Sequence, residues 1–192
     1  WSFDLSVVLP LYLDDKPAYI DAITDVGEML KSNGVEGLMI CSNSAHMAAE
    51  QLAARTGLPV LHIHDALAAA IKKKKIKRPL VLGTDFVMEE DFYIPNLRKC
   101  VDIDPIIPNA DDRKRLNDIL FTELASGYIN PQSREFYLGV IDKAECNGAD
   151  GVILGCTGHC LLLNQSHHDL PMLDSTRLHV GAAVNFQLSS AG

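Results

Sequence analysis

The feature that most restricts how this chain can fold is an internal echo. "NGVEGLMICSNSAH" (residues 33–46) lies over "NGADGVILGCTGHC" (residues 147–160) at an offset of 114 residues. The Asn and both Gly positions coincide, Glu36 meets Asp150, and three aliphatics meet three aliphatics. A second echo follows, "LPVLHIHD" (58–65) over "LPMLDSTR" (170–177), at an offset of 112. Asn-Gly before a short aliphatic run is the pattern of a helix end feeding a buried strand. Two similar halves are therefore expected, each ending a strand in a loop of small residues. Chance similarity between two buried strands is the alternative.

The rest of the chain extends that pattern. "GLMIC" (37–41), "PVLHI" (59–63), "PLVLG" (79–83), "GVILG" (151–155) and "PMLD" (171–174) read as strands, and "VDIDPIIP" (101–108) could hold another. Residues 16–32, 45–55, 111–126 and 132–146 carry helix-period patterning. Alternating helices and aliphatic strands predict an α/β fold of two parallel-sheet, Rossmann-like halves with the site between them. The expected division is 1–75 for the first half, completed by 175–192, and 76–174 for the second.

Composition narrows the partners. The chain is 47% hydrophobic and 22% charged, enough to build a core. A formal net charge of −8 argues against nucleic acid or an anionic membrane as the main partner. The basic run Lys72–Lys75 with Lys77 and Arg78 reads as a solvated helix end. No stretch reaches the roughly 18 apolar residues of a membrane span, and no signal peptide opens the chain. Five cysteines without framework spacing suggest reduced thiols and a cytoplasmic setting.

The overlay also aligns candidate chemistry. Cys156 falls on Ser42 and Thr157 on Asn43. Neighbouring strand residues face opposite ways, so Cys41 and Ser42 cannot share the loop-facing position. Cys41 reads as a buried apolar thiol. Loops after the carboxyl ends of parallel strands are where such sheets bind ligands. Asn43, Ser44, Thr157 and Gly158 could expose backbone N–H groups there, a cradle for a carboxylate, and a helix end would lower the pKa of Cys156.

"MICSNSAH", "LHIHDA", "VLGTDFVMEEDFY", "GVILGCTGHCLLL" and "LPMLDSTRLHVGAAV" together resemble the successive blocks of the aspartate/glutamate racemase family, from about Ser2 to Val184. The resemblance implies two similar α/β domains, no pyridoxal or metal cofactor, and two-base proton transfer at the α-carbon of an amino acid. It places Cys156 and Ser42 as the catalytic pair. Asn43, Ser44, Thr84 and Thr157 match carboxylate-binding positions, and His179 matches a histidine near the site. A small amino acid is the expected partner, with neither nucleic acid nor membrane, and a homodimer is left open.

The chain departs from the family where Ser42 replaces a cysteine, Gly158 a frequent glutamate and Val87 a frequent threonine. The second half opens with a strand and loop, "RPLVLGT", whose counterpart at the same offset would precede Trp1. The first half is therefore expected to lack an N-terminal strand and glycine-rich loop, roughly 30 to 50 residues by the repeat. Two other readings stay open: a one-cysteine isomerase or decarboxylase of the same superfamily, and a catalytically impaired relative that binds a small carboxylate. His62 and His64 on one strand face, or His167 and His168, lack a complete metal-ligand set. Glu89, Glu90 and Asp91 read as an acidic cluster at a helix start.

Overall fold

A computed structural model describes residues 1–89 and 91–190. It is a mixed α/β molecule with two small parallel sheets and two compact units. Residues 1–41 with 45–62 form one unit, and 42–44 with the chain from Ile63 onward form the other.

The smaller unit contains α1 (Leu5–Asp14), α2 (Lys16–Ser32), β1 (Leu38–Met39), α3 (Ala49–Thr56) and β2 (Val60–Leu61). Asp15 caps α2 by accepting from the Ala18 N–H, beside Pro17 in the first turn. Asn33 ends the helix, and Gly34 takes the left-handed turn at φ +83°. Gly27 lets α3 close on α2, because a Cβ there would stand 2.1 Å from Leu52 Cδ1. Ile23, Leu38, Ile40, Ala48 and Leu52 form the core beneath.

The larger unit is built on β3 (Pro79–Leu82), β4 (Gly151–Leu154) and β5 (Met172–Asp174), parallel and in the order β3-β4-β5. Its helices are α4 (Ile63–Lys74), α5 (Asp85–Met88), α6 (Tyr93–Cys100), α7 (Ala110–Thr122), α8 (Pro131–Cys146), α9 (His159–Leu162) and α10 (Ser175–Ser190). Strand alternation sorts its core cleanly. Leu80, Leu82, Val152 and Leu154 pack with Leu116, Leu120, Tyr137 and Ile141 of α7 and α8. Val81, Ile153 and Leu173 point the other way, onto Leu67, Ile71, Tyr93 and Leu97 of α4 and α6. Both faces are covered, which is why these strands read as unbroken aliphatic runs.

The echo in the sequence is an echo in pairing. Leu38 pairs with Val60 in one sheet, and Val152 with Met172 in the other, at the same offsets of 114 and 112. Gly148 ends α8 at φ +88°, as Gly34 ends α2.

Four readings change. "LHIHDA" is not a strand through Ile63, because α4 begins there and Asp65 sits in its first turn. Apolar residues at helical spacing, Leu67, Ala68 and Ile71, bury that helix against the sheet and override the local alternation. Helices α4 and α10 accordingly group with the larger unit, where the sequence division had placed them with the first half. Residues 101–108 contribute only a single parallel bridge, Leu80 to Ile106, since Pro105 and Pro108 remove ladder donors. Glu89 follows α5 rather than opening a helix and pairs with Arg113 at 2.6 Å. Glu90 lies outside the described residues.

Candidate functional site

Three segments that follow strand ends line one pocket in the larger unit. Ser42, Asn43 and Ser44 come from beyond β1, Thr84 and Val87 from beyond β3, and Gly155, Cys156 and Thr157 from beyond β4. The pocket offers about 40 Å³ to a water-sized group, room for roughly three waters or one carboxylate. Close backbone approach shapes it. The Gly155 N–H donates to Leu82 O at 2.7 Å, and a Cβ on Gly155 would stand 2.9 Å from that oxygen.

The lining is a set of hydroxyls around a thiol. Ser42 Oγ lies 3.3 Å from Ser44 Oγ. Thr84 takes the N-cap position of α5, and its carbonyl accepts from the Val87 N–H at 2.9 Å. Its Oγ1 is buried and lacks a hydrogen-bond partner among the described residues. A buried hydroxyl in that state on a pocket wall is a natural donor to an incoming oxygen. Asp85 beside it is held above the usual carboxylate range, by burial first and then by Glu89.

Cys156 is half-buried, and burial pushes its thiol up. Hydrogen bonds from the Gly158 N–H and the Thr157 hydroxyl pull the other way but are outweighed, and Cys160 adds to the rise. This corrects the expected lowering by a helix end. The following helix, α9, is only four residues long, too short to set a dipole against the desolvation of the sulfur. The resting thiol is neutral. Cys160 does not pair with it, since its own thiol donates to Thr157 O at 2.8 Å.

Six of the seven residues singled out from sequence thus line one pocket: Ser42, Asn43, Ser44, Thr84, Cys156 and Thr157. His179 is not among the lining residues; it is buried in α10. Cys41, expected to be buried, is exposed and is not a lining residue. The sequence missed two residues behind the wall, Tyr93 and Ser175, which hold the Asn43 side chain from either side. Both stand in quoted blocks, "EEDFY" and "LDSTR", but no local spacing singles them out.

The histidine candidates separate. The His62 ring lies against His46 at 4.6 Å, and the His64 ring against Tyr93 at 4.5 Å. His167 Nδ1 accepts from the Asn164 N–H. Among the described residues, Asp142, Glu145 and His168 come close enough together to suggest a metal. However, His168 Nδ1 accepts the Leu170 N–H at 3.0 Å. The ring proton of neutral His168 is therefore on Nε2, facing Asp142 Oδ1 at 3.2 Å. A proton fills the place a metal would need. No helix among the described residues is long and apolar enough to cross a membrane.

Comparison with known proteins adds a second line of observation. Residues 12–183 match the family model described as Asp/Glu/Hydantoin racemase. A candidate Asp/Glu racemase from Yersinia pestis is 35% identical with a TM-score of 0.91, over 98% of this chain and 82% of that one. An aspartate racemase homologue from Pyrococcus horikoshii OT3 is 27% identical with a TM-score of 0.83, over 99% and 82%. The aspartate racemase of Picrophilus torridus, at 21% identity, shares the fold at a TM-score of 0.69, over 92% of this chain and 74% of that one.

Proposed function

The chain belongs to the Asp/Glu/Hydantoin racemase family, and from that premise we propose that it moves a proton at the α-carbon of an acidic amino acid. Aspartate and glutamate are the candidate substrates. Cys156 is the principal proton carrier and Ser42 its weaker partner. One observation carries the reading: Ser42 and Cys156, equivalent in the internal repeat, line the same small pocket.

The chemistry follows from what surrounds the sulfur. Hydroxyls of Ser44, Thr84 and Thr157 hold the substrate's carboxylate, with Asn43 fixing the wall they share. A neutral resting thiol cannot take the α-proton. The substrate brings its own α-ammonium, and that nearby positive charge favours loss of the thiol proton to solvent as the substrate binds, leaving the thiolate. The thiolate then removes the α-hydrogen from its face, becoming the thiol, and the carbon carries the electron pair into the adjacent carboxylate. A proton returned by Cys156 restores the starting enantiomer. A proton delivered from the Ser42 side, by the hydroxyl or a water it orients, inverts the centre. A hydroxyl is a much weaker acid than a thiol, so inversion is the slower outcome. The reaction uses side chains alone.

The test is proton NMR of L- and D-aspartate and of L- and D-glutamate incubated with the protein in D₂O. Loss of the α-proton signal, with the opposite enantiomer accumulating more slowly, is the expected result. Exchange with no inversion favours the one-cysteine reading, which the hydroxyl at Ser42 supports. No exchange for any of the four, with the ligand bound, leaves a carboxylate binder.

A further inference from the structure

Behind the pocket wall a buried chain of hydrogen bonds runs in one direction only. Ser175 has a single hydroxyl proton, and it goes to Leu154 O at 2.7 Å. Ser175 Oγ therefore accepts from Asn43, whose Nδ2 donates at 3.0 Å. That fixes the Asn43 amide, so its Oδ1 faces Tyr93 and must accept; the Tyr93 hydroxyl donates to it at 2.8 Å. Burial keeps that phenol protonated by raising its pKa. Tyr93 and Ser175 are fully buried and Asn43 nearly so. Residues 50 and 132 positions apart in sequence are locked in one donor-to-acceptor order, from Tyr93 through Asn43 and Ser175 to Leu154, by donor count alone.

This chain ties together the two segments that carry the site's paired residues. Asn43 is the neighbour of Ser42, and Leu154 stands two residues before Cys156. Tyr93 also lies close against the glycine between them, its hydroxyl 3.7 Å from where a Gly155 Cβ would stand. The Asn43 side chain is thus engaged within the wall on both its polar ends and acts as a strut.

We propose that Tyr93 and Ser175 are positioning residues that act through Asn43, setting the spacing of Ser42 from Cys156 and keeping the pocket closed around the thiol. The inference rests on the proton-transfer reading for its consequence in catalysis. Its structural content, a wall held shut over Cys156, stands apart from that reading. Without the Tyr93 hydroxyl, Asn43 Oδ1 is left buried and unpaired and the strut can turn. The thiol's own face is then less affected than the Ser42 face.

Two readouts on full-length Tyr93→Phe and Ser175→Ala test this, with Ile141→Val, a core truncation on α8, as the control for general loosening. The first is iodoacetamide labelling of each cysteine, resolved by peptide mass. Cys156 should label about fivefold faster in both variants, the weight of one lost hydrogen bond, and at an unchanged rate in Ile141→Val. The second is the ratio of inversion to α-proton exchange, which should fall in both variants while exchange itself persists. Labelling of Cys156 unchanged in both variants, or raised equally in Ile141→Val, overturns the positioning role. If wild type shows no exchange, the racemase reading fails while the labelling arm still decides the strut. Should one variant fail to fold, the other carries both readouts.

Discussion

His159 donates its backbone N–H to Cys156 O at 3.1 Å while its ring packs edge-on against Tyr137 at 5.4 Å. The loop that presents the thiol is therefore anchored by a histidine with no exposed surface. Neither ring nitrogen has a hydrogen-bond partner among the described residues. Burial holds the ionisation of that ring down to about 3.

The pH dependence follows with a definite sign. An unfolded histidine titrates near 6.5. Above that both states are neutral and the ring contributes nothing. Below it the unfolded chain binds a proton the folded chain refuses, so stability falls with pH down to about 3. The slope is up to about 1.4 kcal/mol per pH unit. Urea midpoints at pH 7 and pH 5 should drop further in wild type than in His159→Leu. Parallel losses in the two proteins would mean that His159 does not stay neutral in the fold.

Gly155 makes a second prediction. Its Cβ would meet a backbone oxygen, Leu82 O, at 2.9 Å, and Val87 Cγ1 at 3.2 Å, so β3 and β4 must part or the turn must move. Gly155→Ala should cost about 1–3 kcal/mol, read as a lower thermal midpoint. A midpoint within a degree of wild type would show that the strand ends can give.

How much of this was readable beforehand depends on where the information lies. Asn33-Gly34 and Asn147-Gly148 were legible because left-handed backbone at φ +83° and +88° needs glycine. The strands 79–82 and 151–154 were legible because both sheet faces are buried, leaving no polar residue to blur the run. Helix α4 was not, since "HIHD" alternates like a strand and only packing by Leu67 and Ile71 decides it. Helix α1 was missed because it is apolar nearly all round and carries Pro10. Ser42 and Cys156 were found through the repeat. Tyr93 and Ser175 were not, because contacts across 50 and 132 residues leave no local trace.

The thiol offers a third prediction. Burial raises Cys156, so its alkylation rate should rise with a midpoint above about 8.5, the value of an unperturbed thiol. Bound aspartate or glutamate should protect it. A midpoint below that value, with no protection, would contradict the neutral resting thiol.

The unequal partners give a fourth. Replacing the Ser42 hydroxyl by a thiol supplies a competent acid on the second face. Ser42→Cys should speed inversion by roughly tenfold to a hundredfold, with little change in exchange on the Cys156 face. Chiral chromatography of product over time measures it, and an inversion rate no higher than wild type would remove Ser42 from the pair.

The central claim is that Cys156, which follows β4, rather than the exposed Cys41, which follows β1, carries the proton. α-Proton exchange of both enantiomers in D₂O, measured side by side for Cys156→Ser and Cys41→Ser, tests it most directly. The account predicts that Cys156→Ser loses exchange for both enantiomers, because no competent base remains, while Cys41→Ser keeps it. Exchange retained in Cys156→Ser and lost in Cys41→Ser would contradict the account and move the chemistry to the other thiol.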